Sequence, residues 1–556
     1  MRFLTLFLCA ALGCTHDANA PVANGPVAND EFLPSADASP ARHAFEGTLV
    51  IEPGEMETLE PLAKRFVLER DIKLFPAVRL DFYTEGDRLV PGVHDLIRSG
   101  SLTTGGSFWD ILVFPGQVWS EPSDGAWSRA SFGFALANAL ENDTHHGVAA
   151  FQFNDDGIED LHFQIVTQTA PYYVTDWFVA WGSLDARMEP DSVARAAVET
   201  PLKTRPWSEL TALVGSELVD GFEAPDVILE GLIIDDTLYR SECTTPYGPL
   251  PYCDDTRFGI WSVTKTAVNS LTMLRLAEKY GPEVFDERLV DHIDPDLYDE
   301  RWADVSFSEA LDMATGFGEG SEQTMPNNPS DGYLDRYEEW YDVDSADEKL
   351  RAILSASKHS FGPGTVFRYR DQDMFLLGAA IDGWLKSREG RGAGIMDLVR
   401  HEIYEPIGIP HFPINRTLEP DGTEGLPLVA GGYFPTLSDL ARISSLIQNG
   451  GSHDGRQILH REKLAEMMYE TAARGLSDGT PGGTYHMGMW HEPYEVSPGC
   501  EIELHSMSGW GGHRVLLLPN GVTAIQISRE DPNGPGAAGA LGRMADVANA
   551  IRPLCP

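Results

Sequence analysis

The stretch that decides the fold is Phe258-Gly259-Ile260-Trp261-Ser262-Val263-Thr264-Lys265-Thr266-Ala267-Val268. Its pattern predicts a buried turn that leads into a helix, with Ser262 at the helix start and Lys265 one turn further on. Residues at positions i and i+3 share a helix face, so the hydroxyl and the amine are expected to meet in one pocket. A serine hydroxyl becomes a nucleophile when a base takes its proton, and a desolvated lysine can lose its own proton and act as that base. The spacing therefore predicts acyl transfer through Ser262, with Lys265 as general base.

A second S-x-x-K motif is present at Ser355-Ala356-Ser357-Lys358, so the flanking residues have to distinguish the two. After Ser262 the apolar residues keep a helical period, and Gly281-Pro282 is typical of a helix end. After Lys358 comes Gly362-Pro363-Gly364, which cannot continue a helix. We therefore predict that Ser262 is the nucleophile and that Ser355 is an ordinary surface serine.

Length and charge set the broad class. A chain of 556 residues exceeds one ordinary domain and is expected to hold two. The formal net charge of −44 argues against a nucleic-acid partner, because phosphates would be repelled. The acidic residues are spread along the chain, which is typical of a solvated surface. The sequence contains no Walker loop, dinucleotide fingerprint, H-E-x-x-H helix or G-x-S-x-G elbow, so it predicts no cofactor and no metal site.

The N-terminus has the pattern of an export signal. Arg2 precedes an apolar run over residues 3–12, which is too short to span a bilayer and predicts a signal peptide over residues 1–20. Ala11-Leu12-Gly13-Cys14 resembles a bacterial lipobox, in which Cys14 would carry a lipid anchor; cleavage after Ala20 is the alternative. We expect an exported protein, either periplasmic or anchored to the outer membrane. No later stretch is apolar enough to span a bilayer, so the lipid would be the only membrane contact.

Export permits disulfides, and four cysteines lie beyond the targeting segment. They can form three different sets of pairs. Cys243 with Cys253 would close a short loop just ahead of Ser262, and Cys500 with Cys555 would then tie down the C-terminal tail. Four free thiols are the alternative.

Composition divides the remaining chain into three parts. Residues 21–44 are rich in Pro, Ala and Asn and are predicted to form a disordered linker. Residues 45–204 show short extended segments, such as Thr48–Glu52 and Gly147–Phe153, which predict a β-rich accessory domain. Only Leu59–Leu68 and Ala130–Leu140 suggest helices there.

Residues 205–556 are predicted to form the second domain. Strand patterns lie at both of its ends, over residues 227–239 and 514–528, and helical patterns lie between them. This order predicts one antiparallel sheet packed against helices.

Two segments in this domain are specific enough to indicate a family. Pro363-Gly364-Thr365-Val366-Phe367-Arg368-Tyr369-Arg370-Asp371, continuing to Gly378, resembles the P-G-T-x-F-x-Y-S-N-x-x-x-x-L-L-G segment of the class C β-lactamase and DD-peptidase family of serine hydrolases. Val429–Arg442 is similar to that family's A-G-G-x-x-S-T-x-x-D-L-A-R segment. The resemblance runs in the right order from about residue 225 to 550 and does not cover the accessory domain. It implies an α/β (α+β) fold of the β-lactamase/transpeptidase type, in which an antiparallel sheet is flanked by helices and joined to a helical lobe.

The resemblance also implies a role for Tyr369. A phenol near a lysine ammonium can relay a proton from the nucleophile to the leaving group, so Lys265 and Tyr369 would share the work of general base and acid as a coupled pair. Asp371 stands where the family usually has asparagine. A carboxylate cannot donate to a substrate carbonyl as an amide does; alternatively, Asp371 holds Lys265 by charge.

The family's third motif, usually K-T-G or H-x-G, aligns with Met507-Ser508-Gly509. Met507 replaces the cation that commonly engages the carboxylate of a penicillin or a peptide. His505 shares its strand face and is one candidate substitute; a packed or solvated histidine is the alternative. Gly509 lets a substrate approach the strand backbone closely. The oxyanion hole would consist of the backbone N–H groups of Ser262 and Trp510.

These observations predict a serine hydrolase that cleaves a small ester or amide through an acyl-enzyme on Ser262. The altered third motif places it nearer the esterase and nylon-oligomer-hydrolase branches than the true β-lactamases. One alternative is a DD-peptidase or β-lactamase acting on cell-wall peptides or β-lactams. Another is a non-catalytic surface lipoprotein that binds a ligand. The expected partner is thus a small molecule, and the sequence makes no prediction of oligomeric state.

Overall fold

The computed structural model describes residues 25–59, 63–64, 70–99, 106–137, 142–171, 174–175, 179–195, 197, 202–216, 218–219, 226–319, 337–529 and 540–555. The predicted signal peptide and Cys14 lie outside these residues, so export and lipidation stay predictions. Within the described part of the chain, no helix combines the length and the apolar character needed to cross a membrane.

The N-terminal half is built on one large antiparallel sheet. Its strands, in their order across the sheet, are Ala186–Glu189, Glu46–Ile51, Val78–Glu85, Arg88–Pro91, Asp110–Ser120, Ser128–Ala137, His145–Asn154, Gly157–Gln168, Ala180–Ser183 and Glu57–Thr58. Ser39–Pro40 adds to Asp110–Ser120. Three two-stranded pairs complete this half: Gly54–Glu55 with Leu74–Phe75, Ala63–Lys64 with Val174–Thr175, and Arg70–Asp71 with Gly106–Ser107.

This sheet curls around its own core. Strands Ala180–Ser183 and Ala186–Glu189 lie near opposite ends of the strand order, yet only Leu184 and Asp185 separate them in the chain. Such a short connection requires the two margins of the sheet to lie side by side. The interior is filled by aromatic rings packed edge to face, including Phe45 on Phe151 and Phe134 on Phe163.

Two predictions for this half are wrong. Ala130–Leu140 does not start as a helix: Ser128–Ala137 is a strand. Its even-numbered residues face the aromatic core, while Ala135 and Ala137 pack against Phe434 of the C-terminal half. A strand buried on both faces shows a continuous apolar run, which periodicity cannot distinguish from a buried helix. In the other predicted helix, Leu59–Leu68, the described pair Ala63–Lys64 is a strand instead.

The predicted linker also differs from the structure, since two buried side chains attach the largely exposed residues 25–44 to the rest of the chain. Asn29–Phe32 forms a 3-10 helix, and Phe32 is buried against Val148 and Ala150. The Asn29 side chain donates to the Thr245 hydroxyl and to the Gly248 carbonyl. Composition averages over a segment and therefore conceals two anchoring residues within a Pro- and Ala-rich stretch.

The C-terminal half contains the predicted antiparallel sheet with helices on both faces. Its strands, in order, are Lys203–Pro206, Thr237–Arg240, Val227–Ile234, Thr523–Ser528, His513–Leu517, Cys500–Gly509, Met489–Ser497, Thr484–His486 and Leu476–Ser477. Only the first pair is parallel. Helices Trp207–Val214 and Ala540–Ile551 cover one face through a core that includes Leu210, Leu516 and Met544.

The other face carries the larger core and the helical lobe. Its α-helices are Leu271–Tyr280, Phe307–Leu311, Tyr337–Tyr341, Ala346–Leu354, Asp371–Glu389, Ile395–Leu398, Leu437–Gln448 and Arg461–Met467, with π-helical turns at Lys265–Ser270 and Val399–Tyr404. Short 3-10 turns lie at Cys253–Asp255, Pro282–Asp286, Leu289–His292, Glu300–Trp302 and Glu405–Ile407. Two small hairpins join Arg416–Leu418 to Glu424–Pro427 and Ser452–His453 to Arg456–Gln457.

Two disulfides are present among the described residues. Cys243 is bonded to Cys253, and Cys500 is bonded to Cys555. The first closes the loop ahead of Ser262, and the second fixes the C-terminal tail to the start of the strand Cys500–Gly509.

Candidate active site

Ser262 lies at the end of a tight turn that opens the central helix. The preceding residue, Trp261, has a φ of 50°. Residues other than glycine adopt this left-handed backbone conformation only when the surrounding structure enforces it. The chain becomes helical at Val263, widens into the π-helical turn Lys265–Ser270 and continues as Leu271–Tyr280. It ends at Gly281 with a φ of 103°, as the sequence predicts.

The three groups singled out by the sequence meet at this turn. Lys265 Nζ lies 2.7 Å from Ser262 Oγ, and Tyr369 Oη lies 2.5 Å from the same oxygen. The lysine also approaches the tyrosine ring, with Nζ 4.8 Å from the ring centre. A hydroxyl, an amine and a phenol from distant parts of the sequence therefore share one point of the fold.

Lys265 is surrounded as an ammonium group would be. Its Nζ donates to Ser262 Oγ and to the Ala430 carbonyl at 2.8 Å, and forms an ion pair of 2.6 Å with Asp371 Oδ1. Three acceptors match the three N–H bonds of a charged lysine. Burial alone would lower the pKa of Lys265, but the charge of Asp371 and the nearby Tyr369 outweigh burial, so its pKa is raised. The hypothesis that desolvation makes Lys265 a neutral base is therefore wrong in direction.

Tyr369 is positioned by the loop that precedes helix Asp371–Glu389. Its ring stacks on Trp490 with centroids 5.7 Å apart and planes 19° apart. Arg370 is buried and pairs with Asp373, which fixes the backbone beside the tyrosine. Burial raises the pKa of Tyr369; the Lys265 charge opposes this effect and the Asp371 charge adds to it.

Asp371 occupies the first turn of its helix, and both of its oxygens have partners. Oδ1 pairs with Lys265, and Oδ2 accepts a hydrogen bond of 3.1 Å from the Tyr337 hydroxyl. The structure thus supports the alternative in which Asp371 holds Lys265 by charge. Tyr337 was not identified from the sequence, because no motif surrounds it.

The third motif lies on the strand Cys500–Gly509. Met507 is 1% exposed and belongs to the main hydrophobic core. The Ser508 hydroxyl lies 3.3 Å from that of Ser506. Gly509 passes so close to the serine turn that an added Cβ would lie 2.2 Å from the Ile260 carbonyl oxygen. The Trp510 indole donates to the Pro171 carbonyl at 3.4 Å.

His505 does not supply the missing cation. Its Nδ1 lies 2.8 Å from that of His491, and its ring packs edge to face against Tyr469. Burial, with a smaller effect from Arg474, lowers the pKa of His505 to about 4. The ring is therefore neutral at physiological pH, which favours the packed-histidine interpretation.

A cation that the sequence did not indicate lies on the neighbouring strand. Arg514 is opposite Ser508 and donates to the Gly509 carbonyl at 3.3 Å. It was missed because its place beside the motif depends on strand pairing and not on sequence distance.

A narrow cleft of about 20 Å³, with a lining rich in aromatic rings, opens beside Ser262. Its lining includes Trp261, Tyr337, Trp340, Tyr341, Leu428 and Ala430. Such a surface suits an apolar or aromatic group better than a charged one. Among the described residues, no group of three or more His, Cys, Asp or Glu side chains is arranged to hold a metal ion.

The second S-x-x-K motif forms no comparable site. Ser355 is exposed and donates to the Ala352 carbonyl, while Lys358 Nζ lies 2.8 Å from Asp304 Oδ1. The lysine is thus bound elsewhere, as expected for a surface segment.

Comparison with known proteins identifies the family. The family model described as Beta-lactamase matches residues 240–548, more than half of the chain. The chain therefore belongs to the beta-lactamase family, whose fold implies serine hydrolase activity, and both the predicted family and the predicted fold class are confirmed. No curated protein matches the sequence significantly.

Solved structures with a similar fold have low sequence identity. A novel penicillin-binding protein homolog from Caulobacter crescentus is 18% identical, with 64% of this chain and 100% of that chain covered and a TM-score of 0.43. A D-stereospecific amidohydrolase from Streptomyces sp. is 16% identical, with coverages of 62% and 98% and a TM-score of 0.40. A penicillin-binding protein from Bacillus halodurans is 15% identical, with coverages of 60% and 97% and a TM-score of 0.41.

Proposed function

We propose that the protein hydrolyses small esters or amides through an acyl-enzyme on Ser262. The observation that carries the proposal is the convergence of Lys265 Nζ and Tyr369 Oη on Ser262 Oγ, at 2.7 Å and 2.5 Å. Both distances are within hydrogen-bond reach, the geometric requirement for activating a hydroxyl.

Tyr369 is the proposed general base, and Lys265 is its electrostatic support. The raised pKa of Lys265 keeps the ammonium charged, so the lysine cannot accept the serine proton in this state. Because burial raises the pKa of Tyr369, the phenol is protonated in the resting site and donates to Ser262 Oγ. It becomes a base only after losing this proton to solvent, and the adjacent ammonium stabilises the resulting phenolate. Lys265, Tyr369 and Asp371 are electrostatically coupled, so the pKa for losing this proton is a property of the three groups together and not of Tyr369 alone.

The reaction then proceeds in two balanced halves. Tyr369 takes the Ser262 proton as Oγ bonds to the substrate carbonyl carbon, and the resulting oxyanion is bound by the Ser262 and Trp510 N–H groups. The phenol protonates the leaving oxygen or nitrogen as its bond to carbon breaks, which leaves an ester on Ser262. A water molecule gives a proton to Tyr369 and attacks this ester, and Ser262 leaves with that proton to regenerate the hydroxyl.

The substrate class follows from the cleft and the third motif. The cleft beside Ser262 is lined by aromatic rings, whereas Met507 is buried in the core and His505 has a lowered pKa. Neither residue offers a positive charge to a penicillin or peptide carboxylate, and the Arg514 guanidinium on the neighbouring strand donates to the Gly509 and His513 carbonyls. An uncharged substrate with an apolar or aromatic acyl group is therefore favoured over a β-lactam or cell-wall peptide.

A comparison of acyl donors tests this assignment. The purified protein is expected to hydrolyse p-nitrophenyl esters with aromatic or short alkyl acyl groups, and mass spectrometry should detect the acyl group on Ser262. A fluorescent penicillin at low concentration is expected to leave the serine unlabelled. Stable labelling by the penicillin, together with slow ester turnover, would instead favour a DD-peptidase or β-lactamase.

Replacing Asp371 with asparagine is expected to shift activity toward lower pH. The Asp371 charge raises the pKa of both Lys265 and Tyr369, so its removal should lower both values. The active state is reached by losing a proton from this set, and a lower pKa lets that loss occur in more acidic solution. The rising limb of kcat/KM against pH should therefore move to lower pH in D371N.

The matched control for this experiment is Asp382→Asn. Asp382 is a largely buried acid on the same helix as Asp371, three turns further along. It forms an ion pair with Lys386 and not with Lys265. D382N should retain the wild-type pH profile. A D371N profile that is unmoved, or displaced toward alkaline pH, would contradict the assigned charge effects.

A further inference from the structure

The N-terminal half directly holds the turn that carries the nucleophile. The Asn142 side chain is 1% exposed and lies between two segments of the active site. Its Oδ1 accepts a hydrogen bond of 2.5 Å from the Trp261 backbone N–H, one residue before Ser262. Its Nδ2 donates to the Tyr433 carbonyl at 3.2 Å, in the loop that also provides the Ala430 carbonyl to Lys265.

Further contacts secure the same turn from the same side. The Trp261 indole donates to the Ala170 carbonyl at 3.2 Å, and the Gly259 N–H donates to the Thr144 hydroxyl at 3.0 Å. The backbones approach so closely that a Cβ at Gly259 would lie 1.3 Å from the Asn142 carbonyl oxygen. Trp261 is therefore bound to the N-terminal half through both its backbone N–H and its indole N–H. These two bonds supply the external support that its left-handed φ needs.

We propose that Asn142 is a positioning residue of the active site and that the N-terminal half completes the catalytic centre. The inference rests on the proposed function of Ser262. Asn142 fixes the peptide unit between Ile260 and Trp261. It thereby supports the left-handed φ of Trp261, which sets the direction of the next peptide unit and of its Ser262 N–H, one of the two proposed oxyanion donors. Through Tyr433 it also fixes the loop whose Ala430 carbonyl orients the Lys265 ammonium.

This role predicts a specific kinetic effect. A donor aimed at the developing oxyanion acts in the transition state, so a misdirected donor lowers kcat more than it changes KM. Displacements near 1 Å at a catalytic group cost up to about 100-fold in rate. We expect Asn142→Ala to lower kcat by about 10- to 100-fold, with a much smaller change in KM.

The chain offers a matched control in Asn29→Ala. Asn29 is also 1% exposed and also joins the two halves, through its bonds to Thr245 and Gly248. It is not part of the serine turn. N29A and N142A should therefore lose comparable thermal stability, whereas only N142A should lose the rate of acylation.

The measurement is the second-order rate constant for covalent labelling by a fluorophosphonate, combined with kcat and KM for a p-nitrophenyl ester. Wild type and N29A should label at similar rates, and N142A should label about 10- to 100-fold more slowly. If N142A labels as fast as N29A, the positioning role is overturned. If wild-type Ser262 is not labelled at all, the proposed function itself fails, which is a distinct result.

Asn142→Asp provides a second variant in case N142A does not fold. The carboxylate retains the acceptor for the Trp261 N–H and loses the donor to Tyr433. N142D should therefore label more slowly than N29A, with its KM close to wild type. Because N142D keeps the contact with Trp261, a wild-type labelling rate in N142D would overturn the role assigned to the Tyr433 contact independently of N142A.

Discussion

Replacing Ser262 with alanine is expected to lower kcat/KM for ester hydrolysis by about 10⁴-fold or more. The variant lacks the oxygen that forms the acyl-enzyme, so only binding and the oxyanion donors can still contribute to catalysis. Steady-state assays of ester hydrolysis measure the loss of activity. Mass spectrometry after incubation with an acyl donor measures the loss of the acyl-enzyme. Covalent labelling by a fluorophosphonate should disappear as well.

The natural control for S262A is Ser355→Ala, because it removes the serine of the second S-x-x-K motif. Ser355 is exposed, and Lys358 is bound to Asp304. S355A should keep wild-type kcat and KM. An S262A variant that retains more than about one hundredth of the wild-type activity would contradict the acyl-enzyme mechanism. A loss of less than about 100-fold is far smaller than the effect of removing a nucleophile.

Replacing Tyr369 with phenylalanine is expected to lower kcat by about 10²- to 10⁴-fold, the range typical of general acid–base groups. The phenylalanine ring can keep its stacking on Trp490, so the change isolates the hydroxyl that lies 2.5 Å from Ser262 Oγ. KM should change much less than kcat. Since both acylation and deacylation need this proton relay, single-turnover and steady-state rates should fall together.

Tyr485→Phe is the matched control for Y369F. Tyr485 is fully buried in the same aromatic cluster that Tyr369 borders, where it stacks on Phe367 with centroids 4.8 Å apart. Its hydroxyl has no hydrogen-bond partner among the described residues. Y485F should therefore retain wild-type kcat. Equal losses in Y369F and Y485F would indicate a packing effect and contradict the proton-transfer role.

The sequence predicts the parts of the site that depend on short-range pattern. The helix that follows Ser262, its end at Gly281 and the pairing of Ser262 with Lys265 all follow from residue spacing over a few turns. Tyr369 lies 107 residues beyond Ser262 in the chain. It could be assigned only because a long motif surrounds it and implies a family.

The remaining features depend on contacts that no local pattern encodes. The pKa of Lys265 was predicted in the wrong direction because burial, the largest single effect, is outweighed by Asp371 and Tyr369 together, and the sequence does not show how close these two groups lie to Lys265. Asn142 has no motif, and its role arises where the two halves meet. Likewise, Ala130–Leu140 resembled a helix because the strand there is covered on both faces, one of them by the C-terminal half.

The curl of the N-terminal sheet has a consequence for solubility. An open sheet edge exposes unpaired N–H and C=O groups, which can recruit strands from other molecules and start aggregation. Here the strand at one margin, Ala186–Glu189, is only four residues long and carries Arg187 and Glu189 in ion pairs with neighbouring charges. Pro190 follows at once and offers no N–H group. The described part of this half thus combines a short, charged and proline-terminated margin with a tightly curled shape, features that protect a β-rich protein from forming intermolecular sheets.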